Sequence, residues 1–295
     1  MPEHDLTPYP TLRDEYPPGV PCWVDTEQPD PQAAAAFYGE LFGWDFEDRM
    51  PADAPGNYLV GKLRGLDVAA VSSQMDASAP ARWNTYVAVE SADDAAGKVK
   101  EAGGTVHMPP FDVPGAGRMG VFTDLSGAAF CVWQPGEHKG AQLVNEPGAW
   151  SFNALNTRDP EGAKTFYQAV FGWGAESFAV GESGRTIFYL PGYGDFLEKS
   201  DPDLRRELAA VGAPPSYADA VALLITMTDE QFPAEVPAHW GVTFGVDDAD
   251  ATAARATELG GTVMVPPFDA EPVRLTVLAD PQGAVFTASR FQPRR

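Results

Sequence analysis

Apolar positions along the chain follow two periods, that of a helix and that of a strand. Asp30 has the side chain of a helix N-cap, and Pro31 suits the first helical position. Ala34 and Phe37 then begin an apolar stripe of helical spacing, which ends at Gly43. The pattern therefore predicts a helix with both of its ends marked.

The same arrangement recurs at 159–172, and a second kind of helix follows Ser91 and ends at Gly103. Its counterpart runs from about Asp248 to Gly260. Apolar, β-prone runs follow the helices, as in Tyr58–Leu63. A unit of strand, helix and about three strands is thus predicted four times. Its first strands are predicted at Pro21–Thr26, Asn84–Glu90, Phe152–Asn156 and Gly241–Asp247.

Similar segments recur in the same order in both halves of the chain. FYGELFGW at 37–44 returns as FYQAVFGW at 166–173, with five of eight positions identical. AGGTVHMPPFDV at 102–113 returns as LGGTVMVPPFDA at 259–270, with eight of twelve identical. We expect a turn at the proline pair of this second segment. The chain is therefore an internal duplication.

One insertion distinguishes the two halves. The first pair of segments is 129 residues apart and the second pair 157, so the second half carries 28 additional residues. They lie between Trp173 and Trp240, and the stretch 192–222 is the natural candidate.

These motifs resemble those of the vicinal oxygen chelate superfamily, in the tandem two-domain form of glyoxalase-, bleomycin-resistance- and extradiol-dioxygenase-like proteins. The motif D-x-x-x-A-x-x-F-Y-x-x-x-F-G-W reads from Asp30 to Trp44. The D-P-x-G-A-x-F hairpin is present at 280–286 and, with Leu125 in place of proline, at 124–130. The resemblance implies an α+β fold in which four βαβββ units pair into two cup-shaped domains. We expect an extended arm at 1–18, a first domain at 19–145 and a second at 146–295, with an insertion at about 192–222.

The resemblance also implies a place for a metal ion. Metal-dependent members of the superfamily carry His, Gln or Glu on the first and last strands of the units, pointing into the cup. No cup of this chain gathers three strong ligands there, so we expect no metal and no other cofactor. The residues at these positions are Trp23, Asn84, Cys131, Phe152, Gly241 and Thr287.

Strand alternation identifies the side chains that face into the first cup. They form a mixed aromatic and polar lining, which is typical of a small-molecule site; the alternative is that the tryptophans only fill the barrel. Asp25 is the residue predicted to be catalytic, because a carboxylate among aromatics can act as a base or pair with a ligand amine. The alternative for Asp25 is a hydrogen bond to a neighbouring strand. The predicted ligand contacts in this cup are Trp23, Asn84, Tyr86, Cys131 and Trp133.

The second cup is poorer in chemistry. Asn156 and Thr287 face inward as further ligand contacts, and the strand parity of His239 makes it a candidate proton shuttle, with a surface loop as the alternative. Arg118 is a candidate for binding an anionic group at the rim, with a surface ion pair as the alternative. His138 lies in a polar loop, where we expect it to be solvated.

Charge and composition exclude several kinds of partner. Forty-two acidic against 20 basic residues give a net charge of −22, and such a surface repels nucleic acid and anionic membranes. No apolar run has the length of a membrane helix, and the start lacks the pattern of a signal peptide. Two cysteines make no disulfide framework. We expect a cytoplasmic monomer or homodimer whose partner is a small molecule.

Three functions remain open at this point. One is a metal-independent enzyme of the glyoxalase-like lyase/isomerase or oxygenase class that uses Asp25. Another is a protein that sequesters a ligand such as a cationic antibiotic between aromatic walls, which the charge of −22 and the tryptophans favour. The third is a divalent-metal-dependent glyoxalase, lyase or dioxygenase (hydroxylase) with ligands at unusual positions. Metal analysis separates the third from the others, and turnover against retention separates the first two.

Overall fold

Two units of strand, helix and three strands build the first half, as seen in the computed structural model, which describes residues 9–51, 53, 55–74, 76, 78–180 and 183–292. The first unit contains β1 (Pro21–Gln28), α1 (Pro31–Phe42), β2 (Asp45–Asp48), β3 (Tyr58–Leu63) and β4 (Leu66–Ser73). The second contains β5 (Arg82–Ala88), α2 (Ala92–Glu101), β6 (Thr105–Val113), β7 (Gly117–Thr123) and β8 (Ala129–Pro135).

The second half repeats this order with one addition. Its first unit has β9 (Trp150–Thr157), α3 (Pro160–Phe171), β10 (Gly174–Val180), β11 (Ser183–Tyr189) and β12 (Ala220–Thr226). Between β11 and β12 the chain forms α4 (Tyr193–Leu197), α5 (Leu204–Ala210) and a 3-10 helix (Pro215–Asp219). Its second unit has β13 (His239–Gly245), α6 (Ala249–Glu258), β14 (Thr262–Ala270), β15 (Val273–Ala279) and β16 (Val285–Phe291).

Each half forms one eight-stranded mixed sheet. The strand orders are β2-β3-β4-β1-β5-β8-β7-β6 and β10-β11-β12-β9-β13-β16-β15-β14. In both sheets the first strands of the two units, β1 with β5 and β9 with β13, pair antiparallel at the centre. The predicted α+β class, with four βαβββ units paired into two cups, is confirmed.

The helix ends follow the residues that mark them. The Asp30 carboxylate accepts a 3.0 Å hydrogen bond from the backbone N–H of Ala33, and Gly43 ends α1 with a φ of 75°. Ser91 likewise accepts from the N–H of Asp94 at 3.1 Å. None of the helices within the described residues is long and apolar enough to span a membrane.

The turn predicted at the proline pairs is wrong. β6 continues through Pro109 and Pro110, and the register shifts between Met108 and Phe111. β6 is the edge strand of its sheet, so one side of it has no strand partner to which an N–H would donate. Proline, which lacks that N–H, is tolerated at an edge and at a bulge.

The two halves pack through their helices and the outer faces of the sheets. The ring of Phe42 in α1 lies 5.0 Å from that of Phe244 in β13, and Trp83 of β5 lies 4.9 Å from the same ring. The ring of Tyr167 in α3 lies 5.7 Å from that of Phe130 in β8. The first unit therefore shares a sheet with the second unit but buries its helix against the fourth.

The N-terminal arm, described from residue 9 onward, runs along the segment that joins the two sheets. The Arg13 N–H donates to the carbonyl of Gln142 at 3.0 Å, and the Tyr16 hydroxyl donates to the carbonyl of Ala141 at 2.6 Å. Residues 1–8 of the predicted arm lie outside the described residues.

Candidate functional site

The inner face of the first sheet gathers the side chains predicted for the first cup. Asp25 of β1 stands directly opposite Asn84 of β5. Directly opposed residues of paired strands share one face of a sheet, and so do residues two apart in one strand. The registers of β1, β5 and β8 therefore place six predicted residues on this face: Trp23, Asp25, Asn84, Tyr86, Cys131 and Trp133.

Asp25 lies at the centre of a hydrogen-bond network of neutral donors. The amide of Asn84 donates to Oδ1 at 2.9 Å, and the hydroxyl of Tyr86 donates to Oδ2 at 2.7 Å. The hydroxyl of Tyr58 in β3 also donates to Oδ2, at 3.2 Å, and itself accepts from Nε1 of Trp23 at 2.9 Å. Asp25 is only 2% exposed, so the carboxyl group is removed from bulk water.

Burial raises the pKa of Asp25 to about 6, against an ordinary value of 3.8. The hydrogen bonds from Asn84 and Tyr86 oppose this rise, and the charge of Glu27 adds to it. Among the described residues, no lysine or arginine forms an ion pair with Asp25. A carboxyl group that titrates near neutral pH and has no cation beside it is suited to accept and return a proton.

Trp133 and His138 form the neighbouring part of the same face. Nε1 of Trp133 donates to the carbonyl of His138 at 2.9 Å, and the His138 ring stands edge-on to Trp23 at 4.5 Å. The prediction that His138 is solvated is wrong. Its Nε2 is buried and has no hydrogen-bond partner among the described residues. Burial lowers the pKa of His138, which favours the neutral ring.

Cys131 lies on this face without the surroundings of a nucleophile. The residue is 3% exposed, and burial raises the pKa of its thiol well above the ordinary value, with a further rise from Asp25. A thiol in such a place stays protonated and unreactive. Cys131 therefore contributes shape to the cup.

The residues at the superfamily's metal positions do not fit a metal ion. The inner face of the first sheet has two carboxylates on β1: Asp25, whose two oxygens already accept three hydrogen bonds, and Glu27, which is paired with Arg82 at 2.9 Å. Across the described part of the chain, no three of His, Cys, Asp and Glu lie close enough to hold an ion. A catalytic divalent site requires about three such protein ligands.

The inner face of the second cup carries smaller side chains at several positions, among them Ala154, Gly241 and Thr287. Asn156 stands opposite His239, and Thr243 stands opposite Thr287. Asn156 is buried, and its amide donates to the carbonyl of Ala154 at 3.4 Å. Of these four residues, Asn156 and His239 have the longer polar side chains, and the two threonines carry only short hydroxyl groups.

His239 lies on β13 rather than in a surface loop. Its Nδ1 is 2.9 Å from the carbonyl of Pro237, and its ring is 6.3 Å from that of Phe232. Asp25 belongs to the first sheet and His239 to the second. The structure therefore does not bring the two predicted catalytic residues together.

The placement of Arg118 at the ligand site is wrong. Arg118 stands opposite Gln134, one residue out of phase with Trp133, and thus on the outer face of the sheet. Its guanidinium donates to Asp93 at the start of α2 at 2.9 and 3.0 Å, and to Asp112 at 2.9 Å. Three of its five N–H donors are taken by these two carboxylates, whose charges already balance that of the guanidinium.

Sequence reasoning missed two residues of the site, Tyr58 and His138. Tyr58 begins β3, and strand pairing alone does not reveal which curled strands meet across a cup. The burial of His138 could have been predicted, because glycines at 136 and 140 flank it and allow the loop to pack closely on the sheet. A Cβ at Gly136 would lie 2.7 Å from the carbonyl oxygen of Ala116, so the loop is pressed against the sheet.

Known proteins similar in sequence cover almost the whole chain. The family model for the Glyoxalase/Bleomycin resistance protein/Dioxygenase superfamily matches residues 28–132, and that for the Glyoxalase-like domain matches residues 152–289. "Putative glyoxylase CFP32" of Mycobacterium tuberculosis is 39% identical over 289 residues, which is 96% of this chain and 99% of that protein. "Anthracycline biosynthesis protein DauV" of a Streptomyces species is 36% identical over 286 residues, 92% of this chain and 93% of that protein.

Solved structures share the fold at low sequence identity. The Mn(II)-bound glyoxalase of Novosphingobium aromaticivorans aligns with a TM-score of 0.57 and 16% identity, over 92% of this chain and 82% of that one. The 2,3-dioxygenase LapB of Pseudomonas sp. KL28 aligns with a TM-score of 0.58 and 10% identity, over 92% of each chain. At these identities the likeness concerns the fold alone.

Proposed function

The chain belongs to the Glyoxalase/Bleomycin resistance protein/Dioxygenase superfamily, and from that premise we propose that it binds a planar organic molecule in the cup of its first half. In this proposal no divalent metal takes part. Asp25 accepts a hydrogen bond or a proton from the bound molecule, and the aromatic side chains around it hold the ring system.

The buried, cation-free carboxyl group of Asp25 is the observation that carries the proposal. A purely structural carboxylate is ordinarily paired with a cation or bonded by several backbone N–H groups. Within the described part of the chain, Asp25 instead has only the side chains of Asn84, Tyr86 and Tyr58 as partners, and burial raises its pKa to about 6. Such a group is poorly stabilised as an ion, which is characteristic of functional carboxyls.

The walls of the cup favour a flat, largely apolar ligand. Trp23, Tyr86 and Trp133 are themselves buried, and they would offer large rigid surfaces at low cost in conformational entropy once the side chains that cover them have moved. Relatives named for anthracycline biosynthesis, at 36% and 34% identity, support a polycyclic aromatic ligand. The net charge of −22 supports one that carries a positive group.

A ligand reaches Asp25 only when the side chains that cover the carboxyl group move aside. The ring of His138 is the natural part to move, because it meets Trp23 and Trp133 edge-on, whereas the loop backbone is held by the N–H groups of Gly136 and His138, which both donate to the carbonyl of Ala116. Nε2 of His138, which has no described protein partner, would then gain one from the ligand.

Retention without turnover is the second candidate function. The inner face of the first cup has no activated nucleophile, since burial keeps the Cys131 thiol protonated. A cup of this kind can hold a ligand without changing it. Enzyme and binder therefore share the same site, and they differ in whether Asp25 passes on the proton that it accepts.

Titration with an anthracycline, doxorubicin, tests the site. Its fluorescence should be quenched on binding to the wild-type protein. Asp25→Asn or Trp133→Ala should raise Kd by about 5- to 150-fold, which corresponds to about 1–3 kcal/mol for a lost buried contact or an unpaired group. The compound is incubated with the protein in buffer, with or without common redox cofactors, and then recovered. Mass spectrometry of the recovered compound separates turnover from retention.

The matched control is Ser289→Ala, which removes one oxygen from the inner face of the second cup and should leave Kd unchanged. Circular dichroism of each variant checks that it is folded. Equal affinity of the wild-type, Asp25→Asn and Trp133→Ala proteins would place the binding site outside the first cup. Quantitative recovery of unchanged compound would favour the binder.

A further inference from the structure

The two segments that lie outside the fourfold repeat meet at one cleft. The described arm, from Tyr9 onward, and the segment between β11 and β12 are both additions to the βαβββ units. The Tyr9 hydroxyl donates to the carbonyl of Tyr217, which ties one addition to the other. Between them and the start of β9 lies a small cleft that opens to solvent.

Arg13 lines this cleft with a buried positive charge. The residue is 9% exposed, and among the described residues no carboxylate forms an ion pair with it. One Nη donates to the carbonyl of Leu12 at 3.1 Å and the guanidinium also bonds the hydroxyl of Tyr193, while Nε is buried without a hydrogen-bond partner among the described residues. A buried guanidinium without a counter-charge is costly, and its neighbours Asp14 and Glu15 are exposed instead of turned toward it.

Asn153 of β9 supplies a second unused donor in the same cleft. The residue is 1% exposed, and its Oδ1 accepts a 3.0 Å hydrogen bond from Nε1 of Trp150. That bond fixes the orientation of the amide. Nδ2 of Asn153 is thereby left buried without a partner. Arg13 and Asn153 lie on different parts of the chain, both line the cleft, and each has a buried nitrogen that finds no hydrogen-bond partner among the described residues.

The remaining walls of the cleft are mainly aromatic. Tyr16 and Tyr193 face it from the arm and from α4, and Trp150 and Phe152 face it from β9. Two donors that require an acceptor, set among flat apolar surfaces, match a ring that carries an anionic oxygen group.

We propose that this cleft is a second binding site, distinct from the first cup, that takes a small aromatic carboxylate. Arg13 binds the carboxylate in a charge-assisted hydrogen bond, Nδ2 of Asn153 donates to its other oxygen, and the ring lies against Trp150 and Phe152. In a protein with a net charge of −22, a buried arginine without an ion pair gives this cleft a local preference for anions.

The probe is 4-fluorobenzoate, observed by the broadening of its ¹⁹F signal in the presence of the full-length protein. The matched neutral probe is 4-fluorobenzamide, which has the same ring and no charge. We expect the carboxylate to bind at millimolar concentration. Its Kd should be lower than that of the amide by at least about tenfold, which corresponds to about 1.4 kcal/mol.

Two variants test the two donors independently. Arg13→Met keeps the length of the side chain without its charge and should weaken carboxylate binding by about tenfold or more. Asn153→Asp keeps the acceptor for Trp150 but places a negative charge where the carboxylate would lie, and it should abolish binding. Because Asn153→Asp preserves a hydrogen bond within β9, it remains informative if Arg13→Met does not fold.

The matched control is Arg274→Met, because Arg274 is bound by Asp250 and Asp269 on the outer face of the second sheet. It should bind the carboxylate as the wild-type protein does. The inference is overturned if the amide binds as well as the carboxylate, or if Asn153→Asp leaves the broadening unchanged. Displacement of doxorubicin by 4-fluorobenzoate would also contradict it, because the two sites would then be one.

Discussion

The hydroxyl of Tyr38 in α1 donates a 2.9 Å hydrogen bond to Oδ2 of Asp280, a residue of the second half that is 242 positions away. Tyr38 also accepts from Nε1 of Trp83 at 3.1 Å. The duplicated counterpart is Tyr167, which donates to Asp124 of the first half at 3.1 Å and accepts from Trp240 at 2.9 Å. We call these two chains of bonds, Trp83–Tyr38–Asp280 and Trp240–Tyr167–Asp124, the interhalf bridges.

The interhalf bridges give a physical reason for the two repeated motifs. The tyrosine of the F-Y helix and the aspartate that begins the D-x-x-G-A hairpin meet across the halves. The other oxygen of Asp280 accepts from the backbone N–H groups of Gln282 and Ala284, both at 2.9 Å, so the same carboxylate closes its own hairpin. One aspartate thus ties local structure to the contact between the halves.

Tyr38→Phe should lower the free energy of unfolding by about 1–3 kcal/mol, because Trp83 loses its acceptor in a buried site. Tyr167→Phe should cost a similar amount. Urea denaturation followed by fluorescence measures both. Lys164→Met, which breaks the exposed pair with Glu161, is the control and should change stability by less than about 0.5 kcal/mol. A Tyr38→Phe protein as stable as the control would show that the bridge carries no net stability.

The four units were predictable from the sequence, but their packing was not. Asp30 and Gly43 mark the ends of α1 because caps act within a few residues. The stripe containing Phe37 predicts that α1 has an apolar face, but it does not predict what that face packs against. In the structure the face packs against residues of the other half. β2 was missed because it reads Asp-Phe-Glu-Asp at a sheet edge, where no apolar alternation is required.

Neither thiol should react in the folded protein. Cys22 is fully buried and Cys131 is 3% exposed, and burial raises the pKa of both thiols. Treatment with Ellman's reagent at pH 8 should release no coloured product from the native protein and two equivalents in guanidinium chloride. Rapid release of one equivalent from the native protein would reveal a mobile strand at the base of the first cup.

Purified protein should hold no stoichiometric divalent metal at the superfamily position. Trp23, Asn84 and Cys131 stand there in the first half, and they offer no set of three strong donors. Elemental analysis should give well below one equivalent of Fe, Mn, Ni or Zn per chain, and EDTA should leave doxorubicin affinity unchanged. About one equivalent of metal, removed by EDTA together with activity, would overturn this prediction.

The site residues that could be predicted from the sequence are those whose inward orientation follows from the alternation of side chains along a strand. Asp25 and Asn84 each follow an apolar residue, Val24 and Trp83, that faces the other way, so their shared face follows from the period of a strand. Arg118 was misplaced because its strand register, one residue out of phase with Trp133, depends on the pairing of β7 with β8. Arg13 gave no signal at all, because the arm has no periodicity and its environment comes from β9 and the inserted segment.

Asp25→Asn should stabilise the protein at neutral pH. The folded pKa of Asp25, about 6, lies above its ordinary value of 3.8. The folded state therefore binds the proton more tightly than the unfolded state does. The stability that comes from this group is fully present below about pH 4 and is lost as the pH rises to about 6. The wild-type protein is then less stable above pH 6 by up to about 3 kcal/mol, which the variant should regain.

The sign of this effect distinguishes a functional carboxyl from a structural one. Chemical denaturation at pH 4.5 and at pH 7.5 should show that the advantage of Asp25→Asn over the wild-type protein is larger at pH 7.5. Asp280→Asn is the matched control, since Asp280 is equally buried but accepts from Gln28, Tyr38 and two backbone N–H groups. It should destabilise by about 1–3 kcal/mol at pH 7.5, because a buried acceptor is replaced by a donor and the backbone N–H groups around Asp280 cannot accept in return. Around Asp25, the hydroxyls of Tyr58 and Tyr86 can turn and accept from the new amide. If Asp25→Asn were as destabilising as Asp280→Asn, the network around Asp25 would be a structural element of the first sheet. A gain in stability together with a loss of doxorubicin affinity is the combination expected when a protein keeps a poorly stabilised group for its function.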